Sequence, residues 1–377
     1  MEEQTENKVE DDKKKQKAES NQHEIKCAGC SADLQFKPGT TNLHCQYCGA
    51  ENEIEIEDIE ITENDYLSTL KKTGGGAPTQ EVTIVECNGC SAETTFDPKV
   101  SSDQCPYCGA PIVIRDAHSE TLIRAESLLP FGIDKNDAFD TFKTWLNKLW
   151  WAPNDLKKYA TQKELFVGMY MPYWTYDADT YTDYTGRRGD NYTETYTVNV
   201  NGQSQTRTRT KTNWRSASGN VHVNFDDTLV RASDSLPIKL IHKIEPFDLE
   251  NLVPFNDKFI TGFRTEKYQI GLEDGFEMAK GKMKPRIESA IRRDIGGDQQ
   301  RINSMNSTYD NITFKHVLLP VWISSYMYEQ KTYRFIINAR TGKVQGERPY
   351  SKIKIALAII GGLAIIGTIV GLVMAYN

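Results

Sequence analysis

The amino-acid sequence predicts an α+β protein with two small cysteine-rich units, a mainly antiparallel α+β domain and one C-terminal transmembrane helix. Three features predict it. All eight cysteines fall in two matching quartets, strand-like and helix-like stretches follow them, and the segment from Ile355 to Asn377 is uncharged. Because the strands and helices do not alternate regularly, an α+β fold is favoured over a parallel α/β sheet.

Composition narrows the class of protein. The chain has 377 residues, of which 38% are hydrophobic and 26% charged, as in ordinary globular proteins. Its formal net charge of −7 argues against a general nucleic-acid binder, because phosphate contacts need a basic surface. Residues 1–25 are highly charged and poor in large apolar groups, which predicts a disordered tail.

The opening segment also lacks the apolar stretch of a signal peptide. We therefore expect the cysteines to lie in a reducing compartment, where paired thiols hold metal more often than they form disulfides. The two quartets lie in "KCAGCSADLQFKPGTTNLHCQYCGAE", from Lys26, and "ECNGCSAETTFDPKVSSDQCPYCGAP", from Glu86. Each contains two Cys-x-x-Cys pairs fourteen residues apart, and a sixty-residue offset also preserves turn glycines, a phenylalanine, a proline and a tyrosine. The sequence thus predicts a duplicated unit.

Four thiolates that converge from two such turns form a closed tetrahedral shell, so the sequence predicts two zinc ribbons, each with one structural Zn²⁺. Ribbon 1 is assigned to 26–62 and ribbon 2 to 83–116. The predicted ligands are Cys27, Cys30, Cys45, Cys48, Cys87, Cys90, Cys105 and Cys108. Iron in a rubredoxin-like site is an alternative, because "CPYCGA" is similar to a rubredoxin knuckle, and redox-active dithiols are less favoured.

The remaining chain divides by composition. The glycine-containing segment 63–82 is predicted to be a linker, and 119–350 to be the α+β domain. Within that domain, aromatic and β-branched residues alternate with polar ones, which predicts strands, and Asn201-Gly202 is a favourable hairpin turn. A long helix with a bend at Pro285 is also predicted.

The C-terminal segment is predicted to cross a membrane. Twenty-three uncharged residues in a helix span about 34 Å, enough for a hydrocarbon core of about 30 Å, and the helix is placed at 353–376. Lys352 and Lys354 precede it, so we expect a single-pass protein of the cell membrane whose bulk is cytoplasmic. Gly367 and Gly371 form a Gly-x-x-x-Gly pair that could let two anchors associate as a homo-oligomer.

The sequence shows no familiar catalytic motif: it has no Walker loop, dinucleotide fingerprint, His-Glu-x-x-His or Gly-x-Ser-x-Gly. We therefore expect a non-enzymatic protein. Asp177, Asp179 and Asp183 could form a calcium or acid–base cluster, although an exposed polar strand face is the favoured interpretation.

A basic strand face is also predicted. Arg207, Arg209 and Lys211 alternate with threonines, so they share one side of a strand. That side could contact anionic lipid headgroups or a phosphate backbone. It could equally be solvated and paired with the acidic "YTETYT" segment.

The phrases "ESLLPFGIDKNDAFDTFKTWL", "LWWAPNDLKKYA" and "MPYWTYDADTYTDYTGRRGD", together with two ribbons and a hydrophobic tail, resemble a family of bacterial membrane proteins. Its members are often labelled as similar to primosomal protein N′ (replication factor Y) because of their ribbons. The resemblance spans nearly the whole chain and implies association with flotillin-like SPFH proteins and phage-shock-protein A homologues. It also implies a role in membrane organisation or envelope stress. The helicase label does not transfer, because the chain lacks a Walker motif.

These observations predict a tail-anchored adaptor whose ribbons and α+β domain recruit protein partners to the cytoplasmic membrane. The ribbons are expected to move relative to the α+β domain through the linker. A membrane-tethered nucleic-acid-binding protein is the alternative. A third hypothesis is an enzyme with its site around Asp177 and Asp179.

Overall fold

The structure is a computed structural model, and strands predominate in it. It describes residues 25–56, 61–71, 76–95, 102–113, 118–156, 163–200 and 203–376. The predicted tail lies outside the described residues except for Ile25. Gly74 and Gly75 of the predicted linker, and the predicted turn at Asn201 and Gly202, also lie outside them.

Strands run through the ribbons and the central domain. They are β1 (Leu34–Phe36), β2 (Asn42–Cys45), β3 (Glu51–Glu53), β4 (Asn64–Asp65), β5 (Thr79–Glu86), β6 (Glu93–Thr95), β7 (Ser102–Gln104), β8 (Pro111–Val113), β9 (His118–Ile123), β10 (Ser127–Leu128), β11 (Val167–Val200), β12 (Gln203–Arg231), β13 (Val253–Pro254), β14 (Arg264–Thr265), β15 (Gln299–Tyr328), β16 (Lys331–Asn338) and β17 (Val344–Gly346).

The helices are fewer and vary in length. They are α1 (Tyr66–Leu70), α2 (Lys135–Asn147), α3 (Ile238–Ile244), α4 (Asp257–Ile260), α5 (Leu272–Ile295) and α6 (Lys352–Tyr376). Short 3₁₀ turns cover Lys163–Leu165 and Leu249–Asn251.

The α+β prediction is confirmed by the central sheet. This nine-stranded sheet has the order β12-β11-β15-β10-β13, with β4, β14, β16 and β17 joined to it. Its pairs are antiparallel except β10 with β15 and β11 with β14. Ribbon 1 contributes the small sheet β1-β2-β3. Ribbon 2 contributes β7-β8, and its β6 joins a sheet of order β6-β5-β9 whose β9 follows the ribbon.

Three strands set the dimensions of the molecule. β11 has 34 residues, β12 has 29 and β15 has 30. At about 3.3 Å per residue, the 34 residues of β11 reach on the order of 100 Å. β15 pairs with β11 as far as Gly189, and β12 pairs with it as far as Val200.

Helix α5 covers one face of the long strands. Its buried side chains recur every three or four residues, which makes one apolar stripe. They are Leu272, Phe276, Ala279, Met283, Ile287, Ile291 and Ile295. The helix continues through Pro285. At its start, the indole Nε1 of Trp174 donates to the Ile270 carbonyl at 2.9 Å, and the Tyr176 hydroxyl donates to the Leu272 carbonyl at 2.7 Å.

The two ribbons pack on opposite faces of the central sheet. Met169 and Tyr170 are neighbours on β11, so their side chains point to opposite faces. Tyr170 belongs to the core that includes ribbon 1, and Met169 to the core that includes ribbon 2. The expectation that the ribbons move relative to the domain is therefore not met, because each buries its apolar residues against this sheet.

Backbone contacts also hold each ribbon against the rest of the protein. In ribbon 1, the Phe36 amide donates to the Thr261 carbonyl at 3.1 Å, and the Phe36 ring lies edge-on to Phe259. In ribbon 2, Thr94 forms a β-bridge with Glu266. These contacts fix the orientation of each ribbon as well as its position.

Part of the segment predicted as a linker is ordered on the sheet. Its β4 pairs with β15, and Asp65 caps α1 by accepting from the Ser68 amide at 2.7 Å. Tyr66 is buried against Tyr176 and Phe276. These polar and aromatic contacts hold the segment in place, and composition alone gave no sign of them.

Helix α6 is long and apolar enough to span a membrane. The candidate span covers Lys352–Met374, and none of its most apolar window is buried against the rest of the protein. A helix that exposes apolar side chains on every face is stable in lipid and costly in water. The chain is thus compatible with a single-pass membrane protein.

Two glycines of α5 test how closely this helix packs on the sheet. A Cβ at Gly275 would lie 2.4 Å from the Tyr176 hydroxyl and 2.9 Å from Trp174 Cδ1, both buried, whereas a Cβ at Gly281 would meet nothing within 4 Å. We expect Gly275→Ala to lower the free energy of unfolding by about 1–3 kcal/mol through overpacking. Gly281→Ala should raise it by up to about 1 kcal/mol through helix propensity. Denaturant unfolding followed by tryptophan fluorescence checks both; equal effects would contradict the described packing.

Candidate metal centres

The four Cys-x-x-Cys turns share one backbone geometry. In every turn the residue after the second cysteine has a left-handed backbone and donates its amide to the carbonyl of the first cysteine, at 2.7–3.0 Å. These residues are Ser31 (φ +59°), Gly49 (φ +75°), Ser91 (φ +55°) and Gly109 (φ +74°). An alanine carbonyl then accepts from the first cysteine's amide. The repeated Cys-x-x-Cys-(Ser/Gly)-Ala pattern is therefore one turn used four times.

These turns bring the predicted ligands together in two groups. In ribbon 1, Cys27 Sγ lies 3.5 Å from Cys48 Sγ, and Cys30 Sγ lies 3.5 Å from Cys45 Sγ. In ribbon 2, the corresponding pairs Cys87–Cys108 and Cys90–Cys105 are each 3.6 Å apart. All four sulfurs of each group lie within 4.8 Å of one another. A tetrahedron with metal–sulfur bonds of about 2.3 Å has edges of about 3.8 Å, so each group could bind one metal ion.

Backbone amides favour thiolates in ribbon 1. The amides of Cys48 and Tyr47 lower the pKa of Cys45 to about 6. The pKa of Cys27 is likewise lowered, chiefly by the Gly29 amide. At Cys30 the Ala32 amide lowers the pKa, but the thiols of Cys45 and Cys48 oppose it, and the value rises to about 12. Hydrogen bonds among the four sulfurs thus favour ionisation of some thiols over others, and a bound divalent cation would favour the thiolate form of all four.

The two centres differ in exposure. Tyr107 of ribbon 2 is fully buried, where its hydroxyl meets Met169 Sδ at 2.9 Å and its carbonyl accepts from Arg334 Nε at 2.8 Å. Its counterpart in ribbon 1, Tyr47, is 84% exposed. The equivalent tyrosine of the duplicated unit is therefore buried in the core in ribbon 2 and exposed to solvent in ribbon 1.

The carboxylates flagged in the sequence do not form one cluster. Asp177 lies with Glu63 and Asp226, with one oxygen of each within 4.8 Å of the others. Asp179 instead accepts from Asn224 and Asn311 at 3.0 Å each. Asp183 accepts from Asn220 at 2.8 Å. Sequence reasoning missed Glu63, because it reaches Asp177 only through the docking of β4.

Lys315 neutralises part of this acidic cluster. Its Nζ lies 3.0 Å from Glu63 and 2.8 Å from Asp227, and Thr313 donates to Glu63 at 2.6 Å. Burial and the hydrogen bond to Glu63 raise the pKa of Asp177 to about 7. Although desolvation opposes it, hydrogen bonds from Asp177, Thr313 and Lys315 lower the pKa of Glu63 to about 2. The pair therefore shares one proton below neutral pH.

The basic strand face predicted in β12 is largely paired. Glu194 on β11 accepts from Arg209 at 2.5 Å and from Lys211 at 2.8 Å. Arg209 also lies over the Tyr196 ring, and Arg207 is in register with Tyr196. This arrangement supports the interpretation of a solvated face paired with "YTETYT" rather than an open phosphate-binding stripe.

The chain is similar to a protein of Bacillus subtilis (strain 168). This relative, named uncharacterized protein YdjG, is 28% identical over 356 residues, which cover 93% of this chain and 97% of the relative. No family model and no solved structure matches the chain. The similarity to YdjG extends over nearly the full length of both proteins, from the cysteine-rich part through the central domain.

Metal content tests the two centres separately. We expect about two metal ions per chain, and about one after either Cys45→Ser or Cys105→Ser, because a lost thiolate opens the shell. A chelator should remove the ribbon 1 ion first, since Cys30 and Cys48 are exposed. Elemental analysis and the time course of metal release check this. The Cys45→Ser protein should lack the fast phase and Cys105→Ser the slow one; the reverse assignment would contradict the described exposure.

The shared proton predicts a pH dependence of stability. The folded pKa of Asp177, about 7, exceeds its unfolded value of about 4, so its stabilising contribution is complete below pH 4 and lost as pH rises to 7. Asp177→Asn mimics the protonated form. Relative to the wild type it should gain about 1–2 kcal/mol between pH 4 and 7, after allowance for solvent screening. Asp183→Asn, on the same face outside the cluster, is the control. Parallel pH profiles of unfolding for Asp177→Asn and wild type would refute the shared proton.

Proposed function

We propose that this protein is a non-enzymatic, tail-anchored adaptor that recruits a protein partner to the cytoplasmic face of the cell membrane. The observation that supports it most is an uncovered two-stranded extension of the central sheet, which we call the arm. The arm comprises residues 190–200 of β11 and 203–213 of β12. No described residue of the arm is buried. A projection of this size has no role in the core and offers a surface to a partner.

The arm presents two chemically different faces. Cross-strand pairs place threonine opposite threonine on one face, as in Thr193↔Thr210 and Thr195↔Thr208. The other face carries Tyr192 and Tyr196 with the paired charges of Glu194. The second face also carries Val198 and Val200, which are partly exposed. These faces suit a partner surface that is polar and forms hydrogen bonds, rather than an apolar groove on the partner.

The edges of the arm support the same function. Among the described strands, β12 pairs with β11 alone, and β11 has no third strand beside it beyond Gly189. Each edge therefore presents a row of backbone donors and acceptors, onto which a partner strand can add. Strand addition gives affinity through main-chain hydrogen bonds and register through alternate side chains. The arm is thus suited to bind an extended segment of another protein.

The arm lies at the end of the sheet opposite the anchor. β11 begins beside Ile323 of β15, close to the β15–β16 turn, and the arm begins about 75 Å further along the strand. Lys352 and Lys354 at the start of α6 favour the cytoplasmic side for all of this mass. A partner bound to the arm would be tethered to the membrane without contacting it. By the family resemblance, a flotillin-like SPFH protein is the first candidate.

The metal centres serve this architecture as structural sites. We assign both to Zn²⁺, because four thiolates leave no open position for a substrate, as in structural zinc sites. A red protein would instead indicate iron. The ribbons would then hold both faces of the sheet rather than act as mobile modules.

Nucleic-acid binding is the alternative function, and the charge arrangement counts against it. Arg209 and Lys211 share Glu194, and Arg188 and Arg215 share Asp190. A gel shift with duplex and single-stranded probes tests it directly. Salt-sensitive binding at physiological ionic strength would favour this alternative.

Deletion of the arm tests the adaptor function. Joining Asp190 to Asn213 through an Asn-Gly turn removes the arm and leaves α5 and the paired β15 in place. We expect this variant to keep its metal content and membrane association and to lose crosslinked partners in pull-downs from intact membranes. A tail-deleted chain lacking α6 should instead leave the membrane fraction. If the arm-deleted protein recovers the same partners as wild type, the arm is not the docking surface.

A further inference from the structure

A basic cavity lies at the membrane-proximal end of the protein. It has a volume of about 520 Å³ and is lined by Trp145, Lys243, Lys331, Tyr333, Arg348 and Tyr350, among others. Tyr350 lies two residues before α6, so the cavity is adjacent to the start of the candidate span. Its position alone therefore places it near lipid headgroups if α6 crosses the bilayer.

Hydrogen bonds hold this end of the domain against the first turn of α6. The Ser351 amide donates to the Trp151 carbonyl at 2.8 Å. Lys354 Nζ donates to the carbonyls of Trp150, at 3.0 Å, and Ala152, at 2.8 Å. The loop after α2 is thus fixed at the level where α6 begins. That level is the membrane interface for a helix that spans from Lys352.

Aromatic residues are exposed at the same level. Trp150 is 75% exposed, Tyr350 57% and Trp151 39%. Large exposed aromatics are unfavourable in water, whereas tryptophan and tyrosine are enriched where proteins meet lipid headgroups. Their clustering around the base of α6 indicates a surface that rests on the bilayer.

The charge of the cavity selects the lipid. Lys243, Lys331 and Arg348 form no ion pair within the part of the chain that the structure describes. Glu347 is the one carboxylate among the lining residues, and its Oε2 accepts from the Arg334 amide at 3.0 Å. Three cations against one carboxylate give the cavity a net positive charge, and basic pockets beside membrane helices attract anionic headgroups.

We propose that this cavity binds the headgroup of an anionic phospholipid, with Trp150, Trp151 and Tyr350 embedded in the surrounding interface. The shared chemistry is a phosphate ester, and its source is the bilayer in which α6 is anchored. The inference rests on the membrane anchoring of the proposed function. It does not depend on the arm or on any protein partner.

The test uses the full chain in nanodiscs of phosphatidylcholine that contain a minor fraction of one brominated lipid. In the wild type, brominated phosphatidylglycerol should quench tryptophan fluorescence more than brominated phosphatidylcholine does. The ratio should fall to about one in the triple variant Lys243→Ala, Lys331→Ala and Arg348→Ala, because each cation contributes about fivefold to anionic-lipid enrichment. Equal quenching by both lipids in the wild type would overturn the proposal.

A matched triple variant on the arm controls for net charge. Arg207→Ala, Arg209→Ala and Lys211→Ala together remove the same charge far from the base and should leave the quenching ratio unchanged; an equal loss would overturn the proposal. Lys331→Gln, at the exposed start of β16, gives a second measurement if the cavity triple variant does not fold. It should lower the ratio partway, and an unchanged ratio would count against the site.

Two further measurements are needed. One distinguishes lipid from free phosphate as the ligand, and the other tests the membrane anchoring on which the proposal rests. Inorganic phosphate at matched ionic strength should leave the lipid quenching intact; if it reverses the quenching, the cavity binds a soluble phosphate and the lipid proposal is wrong. Alkaline carbonate extraction reports on the anchor itself. A carbonate-resistant chain with no anionic preference would overturn this inference alone and leave the adaptor function standing, whereas release from the membrane would overturn both.

Discussion

The continuous pairing of β11 with strands on both of its edges is the constraint on which the other parts depend. From Val167 to Gly189 this strand is hydrogen-bonded to β15, and from Tyr173 onward also to β12. Its alternating side chains pack in the core that includes ribbon 1 on one face and in the core that includes ribbon 2 on the other. Further along, the same strand presents Trp174 and Tyr176 to α5. One ladder therefore positions the metal centres, the helix and the arm.

Metal binding and sheet packing are energetically linked in this arrangement. The apparent free energy of binding a structural zinc ion is about 10–16 kcal/mol in small zinc units, and it becomes folding energy when the apo unit is unfolded. Here the metal turns also carry side chains that complete the central core. Phe36 of ribbon 1 packs on Phe259, and Tyr107 of ribbon 2 is buried on Met169. Loss of metal would thus expose both faces of β11 as well as the ribbons.

The sequence was informative where the chemistry is local. Spacing alone predicted the two groups of four cysteines, and the uncharged segment located the candidate span, because turns and anchors are specified by neighbouring residues. Contacts between distant segments were not accessible. The polar residues before His316 gave no sign that they belong to β15. The reason is that α5 covers only one face of this part of the strand, so the other face is exposed to solvent. Likewise, Tyr47 and Tyr107 lie in the same Cys-x-Tyr-Cys-Gly-Ala turn, and only the packing of ribbon 2 on the sheet buries one of them.

A long arm can hold a partner at a defined height only if its base is rigid. A helix joined through a free linker would let a sheet of about 100 Å swing over a wide region around the anchor. The bonds from Ser351 to Trp151 and from Lys354 to Trp150 remove that freedom, because the domain and α6 then move together. Aromatic residues resting on the bilayer would resist tilting as well. Stiffness at the base and exposure at the tip are therefore two requirements of the proposed adaptor function, and they lie at opposite ends of one sheet.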